Sequence, residues 1–401
     1  MVIEDLDGLL RPHIKGKIID KKITRLTAPG ENYGSLMLKV DLIVQKDGEQ
    51  EEVFHAVAKC VQPNKHMQEV FNTPTTFKNE IGWYEEAIPT LIQFQQDKGV
   101  EHVADYFMNL FGARVSVDPN SENVDDTAVI LVENLIERGF KNASRLKGFS
   151  LIQSQEILKK LANFHATTIA LKSENPELHN KKIKQFCMQK DKFEPPSTSL
   201  FDAALRFLEE QPDTAPHVDL IKKNLYTPKE EFCRQNDPLW TTAVHSDFWV
   251  NNIMISEDNP PKVIILDLQV CSYESALADL VFFLGTSLEH EVSENHFDDL
   301  IQVYYQEFIK TLRELKFDQS KLTQYTQENF KKELEKEGRK EFSHVMFFIP
   351  VITAVKETIT DPTHEEYNLE DGLKNMFNVV WEHQKEKYNV MIKNWVKHGW
   401  L

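Results

Sequence analysis

Hydrophobic periodicity changes once along this 401-residue chain, at about Glu133, and that change limits the fold more than any other feature. Before it the pattern is mostly that of strands; after it, long amphipathic helices dominate. Apolar–polar alternation predicts strands over 17–27, 36–45 and 52–61. In the third, Val53, His55, Val57, Lys59 and Val61 share one face. Residues 28–35 form a loop with glycines at 30 and 34, and 46–49 read as a hairpin turn. A helix is expected over 75–96, because Phe77, Ile81, Tyr84, Ile88 and Leu91 recur every three or four residues. Two more strands are expected over 104–117 and 128–133, separated by a polar turn at 118–126.

Beyond Glu133, residues 151–171 place Ile157, Leu161, Phe164 and Ile169 on one helix face. Residues 173–198 are polar, carry prolines at 176, 195 and 196, and read as a surface excursion. Helices are predicted over 200–211, 215–226, 274–290, 295–313, 319–337, 342–357 and 370–393. One β island, 244–255 with 263–269, interrupts them. The expectation is an α+β chain of two lobes: a strand-rich N-terminal lobe over 1–133 and a larger helical lobe over 134–401.

Charge narrows the partners. Against 46 Lys and Arg stand 63 Asp and Glu, a net charge of −17. A phosphate backbone or an anionic membrane is repelled by that balance, whereas a small anion in a local pocket is not. No nucleic-acid partner and no membrane insertion are expected, and no obligate protein partner is readable. The first residues are too acidic and too poor in apolar side chains for a signal peptide. No apolar run approaches a transmembrane span. Cys60, Cys187, Cys233 and Cys271 lack the spacing of a metal knuckle or redox pair. Reduced thiols in a cytoplasmic protein are the simplest reading.

The strongest chemical signal is His245-Ser-Asp247-Phe-Trp-Val-Asn251-Asn252, with Asp267 fifteen residues further on. Phosphoryl transfer needs a carboxylate to orient or deprotonate a hydroxyl, and oxygen ligands for a metal that neutralises phosphate charge. Asp247 suits the first task. A hairpin that returns Asp267 to Asn252 suits the second, with Mg²⁺ as the hard cation. The alternative is that Asp247 and Asn252 are ordinary turn residues. Lys59 lies among apolar residues in a strand and is costly to bury without an anion; the alternative is an edge lysine reaching solvent. Glu80 flanks the apolar stripe of its helix and is placed to pair with Lys59; the alternative is one more acid on a solvated face. The glycine loop alone is weak. The order of these parts, from glycine loop through lysine, glutamate and the segment after Glu133 to Asp247, Asn252 and Asp267, is that of a kinase.

With these residues in view, the chain resembles the ecdysteroid kinase-like family, also grouped as CHK kinase-like and related to choline kinases and aminoglycoside phosphotransferases. The resemblance runs from about residue 20 to about 390. Its most specific stretch, His245 to Met254, is similar to the family's His-Gly-Asp-Leu-Trp-Val-Asn-Asn-Ile-Met. Supporting pieces are Asn32-Tyr-Gly-Ser35, Phe77-Lys-Asn-Glu80, Leu131-Val-Glu-Asn-Leu135, Leu161-Ala-Asn-Phe-His-Ala166, Ile265-Leu-Asp-Leu-Gln269 and Ala278-Asp-Leu-Val-Phe282. The resemblance implies a bilobal, protein-kinase-like fold, ATP as donor and a small-molecule alcohol as acceptor, an ecdysteroid or another sterol-like alcohol among them. It implies Asp247 as catalytic carboxylate, with Asn252 and Asp267 as Mg²⁺ ligands. Lys59 would contact the α- and β-phosphates with Glu80 as its anchor. Gly30, Tyr33, Gly34 and Ser35 would form the nucleotide loop, and Glu133 through Leu135 the hinge that receives adenine through backbone groups.

Ser246 stands where the family usually has glycine, and Leu268 where it often has phenylalanine; neither removes a needed charge. His165, His245, Asp279 and Trp249 read as supporting or packing residues, Trp249 with the option of an aromatic wall beside the acceptor. Two other small-molecule readings stay open: a silent nucleotide- or ligand-binding pseudokinase, and a choline-like amino-alcohol kinase, which calls for aromatic faces and carboxylates around a cation. A protein kinase ranks last, since a helix is expected from 274 and leaves little room for an activation loop after Asp267.

Overall fold

The computed structural model describes residues 3–27, 33–46, 51–188, 198–227, 238–354, 361–364 and 366–401. Gly30, most of the predicted 46–49 turn and Cys233 lie outside the described residues. Strands β1 (Lys17–Arg25), β2 (Ser35–Gln45), β3 (Glu51–Val61), β4 (Leu110–Arg114) and β5 (Val129–Glu133) form one antiparallel sheet, in the order β1-β2-β3-β5-β4. β3 is therefore interior, and Lys59 pairs with Met37 on one side and Ile130 on the other. That excludes the edge-lysine alternative. The predicted face of β3 is the one carrying Lys59, but the opposite face is also covered: Ala56 and Ala58 pack with Leu38, Val40 and Leu131 under α1 (Leu6–Leu10).

The strand expected over 104–117 is shorter. Its first part leaves the sheet, and the Tyr106 carbonyl accepts the Ile265 amide at 2.8 Å. The helix expected over 75–96 is α3 (Thr73–Gly82) and α4 (Ile88–Lys98), preceded by the short α2 (Lys65–Val70) and joined by a π turn at Trp83–Ala87. Pro89 explains the turn: it has no amide to give Glu85, and its ring crowds that carbonyl, so the winding widens and Ile88 bonds Trp83. All five residues of the expected stripe are buried.

In the helical part, α5 (Leu151–Glu174) starts on a Ser150/Gln153 capping box. Residues 173–188 lie largely at the surface, as expected, but they are ordered there: α6 (Pro176–Lys182) turns His179 and the following Ile183 fully inside. Then follow α7 (Asp202–Glu210) and α8 (Val218–Tyr226). The β island is two sheets rather than one hairpin. β6 (Phe140–Asn142), β8 (Ile253–Ser256) and β9 (Val263–Ile265) form one; β7 (Thr241–Val244) and β10 (Ser272–Ser275) form the other. The predicted 244–255 strand is thus broken by a loop at 245–252.

The helix predicted from 274 begins later, as α9 (Leu277–Thr286), because β10 occupies the preceding residues. α10 (His290–Asn295), α11 (Phe297–Glu314) and α12 (Gln319–Leu322) lead to α13 (Gln327–Thr353), one helix where two were expected. Gly338 does not break it; the Trp400 ring lies where a side chain would go, and a Cβ there would come within 2.3 Å of it. The helix predicted over 370–393 is instead two, α14 (Leu369–Phe377) and α15 (Glu382–His398). The main apolar cluster runs from Val57 through Phe164 and Phe283 to Trp395 and Leu401, so the inner face of the sheet packs into the same core as the helices. Arg25 reaches Asp361 by two hydrogen bonds of 2.6 and 3.1 Å, which ties β1 to the segment before α14. No helix among the described residues is long and apolar enough to cross a membrane.

Candidate active site

Lys59 sits at the centre of a charge triad with the buried Glu80 and the half-buried Asp267. Its Nζ donates to Glu80 Oε2 at 2.5 Å and to Asp267 Oδ1 at 2.7 Å. β3 supplies the lysine, α3 the glutamate, and the turn after β9 the aspartate. Burial alone would pull the Lys59 ammonium down, but the Asp267 and Glu80 carboxylates outweigh it and hold it above its ordinary value. Burial pushes the Glu80 carboxyl up, to about 7, against the pull of Lys59. Glu80 also accepts the Leu268 backbone amide, so the triad fixes the chain just after Asp267. Asp267 itself has φ 61°, a left-handed conformation that Asp tolerates better than most residues. Leu268 is fully buried and serves as the apolar anchor there. The Glu80–Lys59 pairing agrees with the sequence reading; the direct Lys59–Asp267 bond was not anticipated.

Asp247 lies in the 245–252 loop, partly open to solvent. Asn252 donates through Nδ2 to Asp247 Oδ2 at 2.7 Å and to the Asp247 carbonyl at 2.9 Å. The Leu266 amide donates to the Asn252 carbonyl at 2.9 Å, which brings Asn252 beside Asp267. Enclosure by protein, followed by the negative charge of Asp267, pushes the Asp247 carboxyl up to about 6. The Trp249 indole N–H lies near enough to draw it back slightly, although it completes no hydrogen bond. With Nδ2 committed to Asp247, Asn252 has its Oδ1 left as an acceptor. Asn252 and Asp267 together offer the oxygen donors a hard divalent cation takes.

The loop is held by residues around the Asp247–Asn252 pair. Asp279 is buried at the start of α9; its Oδ2 accepts the His245 amide at 2.6 Å, and its Oδ1 accepts the Ser246 amide at 2.8 Å. His165 approaches the same Oδ2 at 3.1 Å, and its Nδ1 meets the Tyr304 hydroxyl at 2.8 Å. A carboxylate only accepts, so His165 Nε2 carries the proton and Tyr304 donates to Nδ1. His245 Nε2 donates to the Leu266 carbonyl at 2.7 Å while its Nδ1 receives the Asp247 amide at 3.3 Å. Both ring nitrogens are committed, so His245 braces the loop and carries no mobile proton. Ser246 has φ 68°.

Other expected residues are placed as follows. Gly34 lies against Phe71 and Gln269, where a Cβ would come within 3.2 Å of either side chain. Ser35 is buried at the start of β2. Tyr33 packs on the Ala354–Met376–Phe377 cluster, and its carbonyl accepts Gln62 Nε2 at 3.1 Å. The Glu133 carboxylate is engaged by the Asn109 amide and side chain and by Arg138. Leu135 is buried against Phe140 and Met254. Sequence reasoning missed the Asn109–Glu133 brace and the aromatic train beside Asp247, where Trp249, Phe348, Phe282 and His344 touch in series. Asn109 carries no local motif, and Phe348 belongs to a helix some hundred residues away in sequence, so no short-range signal marks either.

The profile of the ecdysteroid kinase-like family matches residues 29–317. Among curated proteins none matches the chain. Solved structures with similar folds include choline kinase from Cryptosporidium parvum, with 10% identity, covering 98% of this chain and 96% of that one, and a TM-score of 0.43. They also include ethanolamine kinase from Plasmodium vivax, with 11% identity, 89% and 81% coverage and a TM-score of 0.40. A microcompartment-associated aminopropanol kinase shows 12% identity, 96% and 95% coverage and a TM-score of 0.44. The architecture is the expected α+β, protein-kinase-like one, a strand-rich sheet followed by a helical region. Since the profile spans more than half of its length, the chain belongs to the ecdysteroid kinase-like family.

Proposed function

We propose that this protein is an ATP- and Mg²⁺-dependent kinase that phosphorylates the hydroxyl of a small molecule, with 1–133 as nucleotide lobe and 134–401 as acceptor lobe. The observation that carries the reading is the Lys59–Glu80–Asp267 triad beside the Asn252–Asp247 pair. Asp247 takes the proton of the acceptor hydroxyl as its oxygen bonds the γ-phosphorus and the bond to the ADP oxygen breaks. Lys59, steered by Glu80, faces the α- and β-phosphates, and Tyr33, Gly34 and Ser35 line the loop beside them; Gly30 is assigned to that loop from sequence alone. Backbone groups from Glu133 to Leu135 receive adenine. Asn252 Oδ1 and Asp267 would hold Mg²⁺, which when bound neutralises phosphate charge. For the acceptor, a sterol-like alcohol is the first choice on the family's name, and the aromatic side chains around Trp249 suit an apolar body. A cytoplasmic setting accords with its free thiols at Cys60, Cys187 and Cys271.

Purified protein with MgATP and a panel of ecdysteroids, choline and ethanolamine should release ADP with one class of acceptor only. ATP binding with no transfer to any of them would favour the silent, nucleotide-binding alternative. Lys59→Met should weaken MgATP binding by about tenfold to a hundredfold, the loss of a charge-assisted contact. Titration of MgATP into the folded variant checks it; unchanged affinity would take Lys59 out of the phosphate site.

A further inference from the structure

Ser246 precedes Asp247 and holds a conformation that a side chain disfavours: φ is 68°, where a Cβ crowds the following carbonyl. Two backbone bonds to Asp279 fix the loop from one side. A second support comes through side chains. The Ser246 and Ser272 hydroxyls lie 2.6 Å apart. Ser272 donates to Glu274 Oε1 at 3.0 Å, and Ser246 lies 3.4 Å from the same oxygen. The other oxygen of Glu274 accepts Lys340 Nζ at 2.7 Å, and Lys340 donates also to Glu337 at 2.7 Å.

Glu274, Lys340 and Glu337 are all buried. The carboxylates of Glu274, Glu337 and Glu341 converge to within 4.8 Å, as a metal site would require. Lys340 already supplies the cation there, so the cluster reads as an internal ion pair. Such a cluster is costly to bury, and a hydrophobic group could fill the same volume. Its hydrogen bonds lead to residue 246.

We propose that Ser246 and Glu274 are positioning residues of the site: a buried chain from Lys340 through Glu274 and Ser272 to the Ser246 hydroxyl holds residue 246 left-handed and so aims Asp247. This rests on the kinase reading above and extends it. The backbone at 246 must turn for Asp247 to lie beside Asn252, and the hydroxyl bonds offset the cost of turning it with a side chain in place. Ser246→Ala keeps the Cβ and loses the hydroxyl. Ser246→Gly loses the hydroxyl and the crowding together, because glycine enters this region freely. The support should therefore matter with serine and not with glycine, and a double-mutant cycle reads that coupling.

The test needs no acceptor for its first part. In the full chain, hydrogen exchange of the 245–252 amides should quicken about tenfold in S246A and in E274Q, the factor that a weakening of about 1.4 kcal/mol produces. In the S246G background, E274Q should add less than about twofold. K340M, which removes the cation, should repeat the E274Q pattern. In the second part, ADP release should show a lower kcat for S246A and E274Q with the KM for MgATP unchanged, since neither touches Lys59 or Glu80. Equal effects of E274Q in the serine and S246G backgrounds, or no effect in either, would overturn the proposal. Wild-type protein that releases no ADP with any acceptor would defeat the kinase reading alone and leave the exchange result standing.

Discussion

Asp247→Asn protein is expected to bind MgATP like the wild type and to lose turnover by about 10²–10⁴-fold, the usual contribution of a general base. Asparagine fits the site: its carbonyl oxygen still accepts the Asn252 amide that reaches Asp247 at 2.7 Å. What it cannot do is take a proton from the acceptor. The raised carboxyl gives a second signature. With its value near 6, Asp247 loses its negative charge as pH falls through 6, so wild-type turnover should drop about tenfold per unit below that point. Stability moves the other way. The folded carboxyl holds its proton more tightly than the ordinary value of 3.8 allows in the unfolded chain. Its stabilising contribution is complete below 3.8 and is lost as pH rises through about 6. The variant has no such loss, so its melting temperature at pH 7.5 should equal or exceed that of the wild type, and the gap should close by pH 5. Melting curves and ADP release across this range check both; full turnover in the variant would remove Asp247 from its role.

The parts of this site that could be read from sequence are those whose chemistry is local. Lys59 among apolar residues announces an anion because burial of an unpaired ammonium is costly, and Glu80 answers it at 2.5 Å. The sequence order of Asp247, Asn252 and Asp267 survives folding because a short loop and two short strands keep them together. What could not be read depends on long-range packing. Asp267 was assigned to metal alone, yet it bonds Lys59, 208 residues away in sequence. The π turn needed Pro89 to be weighed against a strong helical stripe, and the fusion of two expected helices into α13 needed Trp400 to be placed over Gly338. Residues 173–188 read as a surface from composition and largely lie at one, yet His179 and Ile183 turn inside, Phe186 lies against Gly82, and the Phe186 carbonyl takes the Trp83 indole N–H at 3.2 Å. Polarity along a chain does not say which few side chains turn inward.

Asp279 should prove the most sensitive position for the fold of the site, although it meets no reacting group. It is one buried carboxylate with three donors: the amide of buried His245, the amide of half-buried Ser246 and the ring of buried His165. Asp279→Ala leaves these donors without acceptors in a space water does not readily enter. Each unsatisfied group costs about 1–3 kcal/mol, so a loss of about 3–5 kcal/mol is expected for the set. That is a large part of the roughly 5–15 kcal/mol that separates a typical native domain from its unfolded chain. Asp279→Asn is the sharper comparison. Its single oxygen serves Oδ2's two donors or Oδ1's one, and its amide group must face the remaining N–H, donor against donor. Denaturant melts should therefore rank wild type above the asparagine variant and that above alanine. Turnover of whatever remains folded should fall in the same order, because the backbone at 245–246 sets where Asp247 stands. If alanine melted within about 1 kcal/mol of wild type, the three donors would have other partners, since a buried group left unpaired costs at least that much. The role assigned to Asp279 would then pass to the bracing bonds of His245.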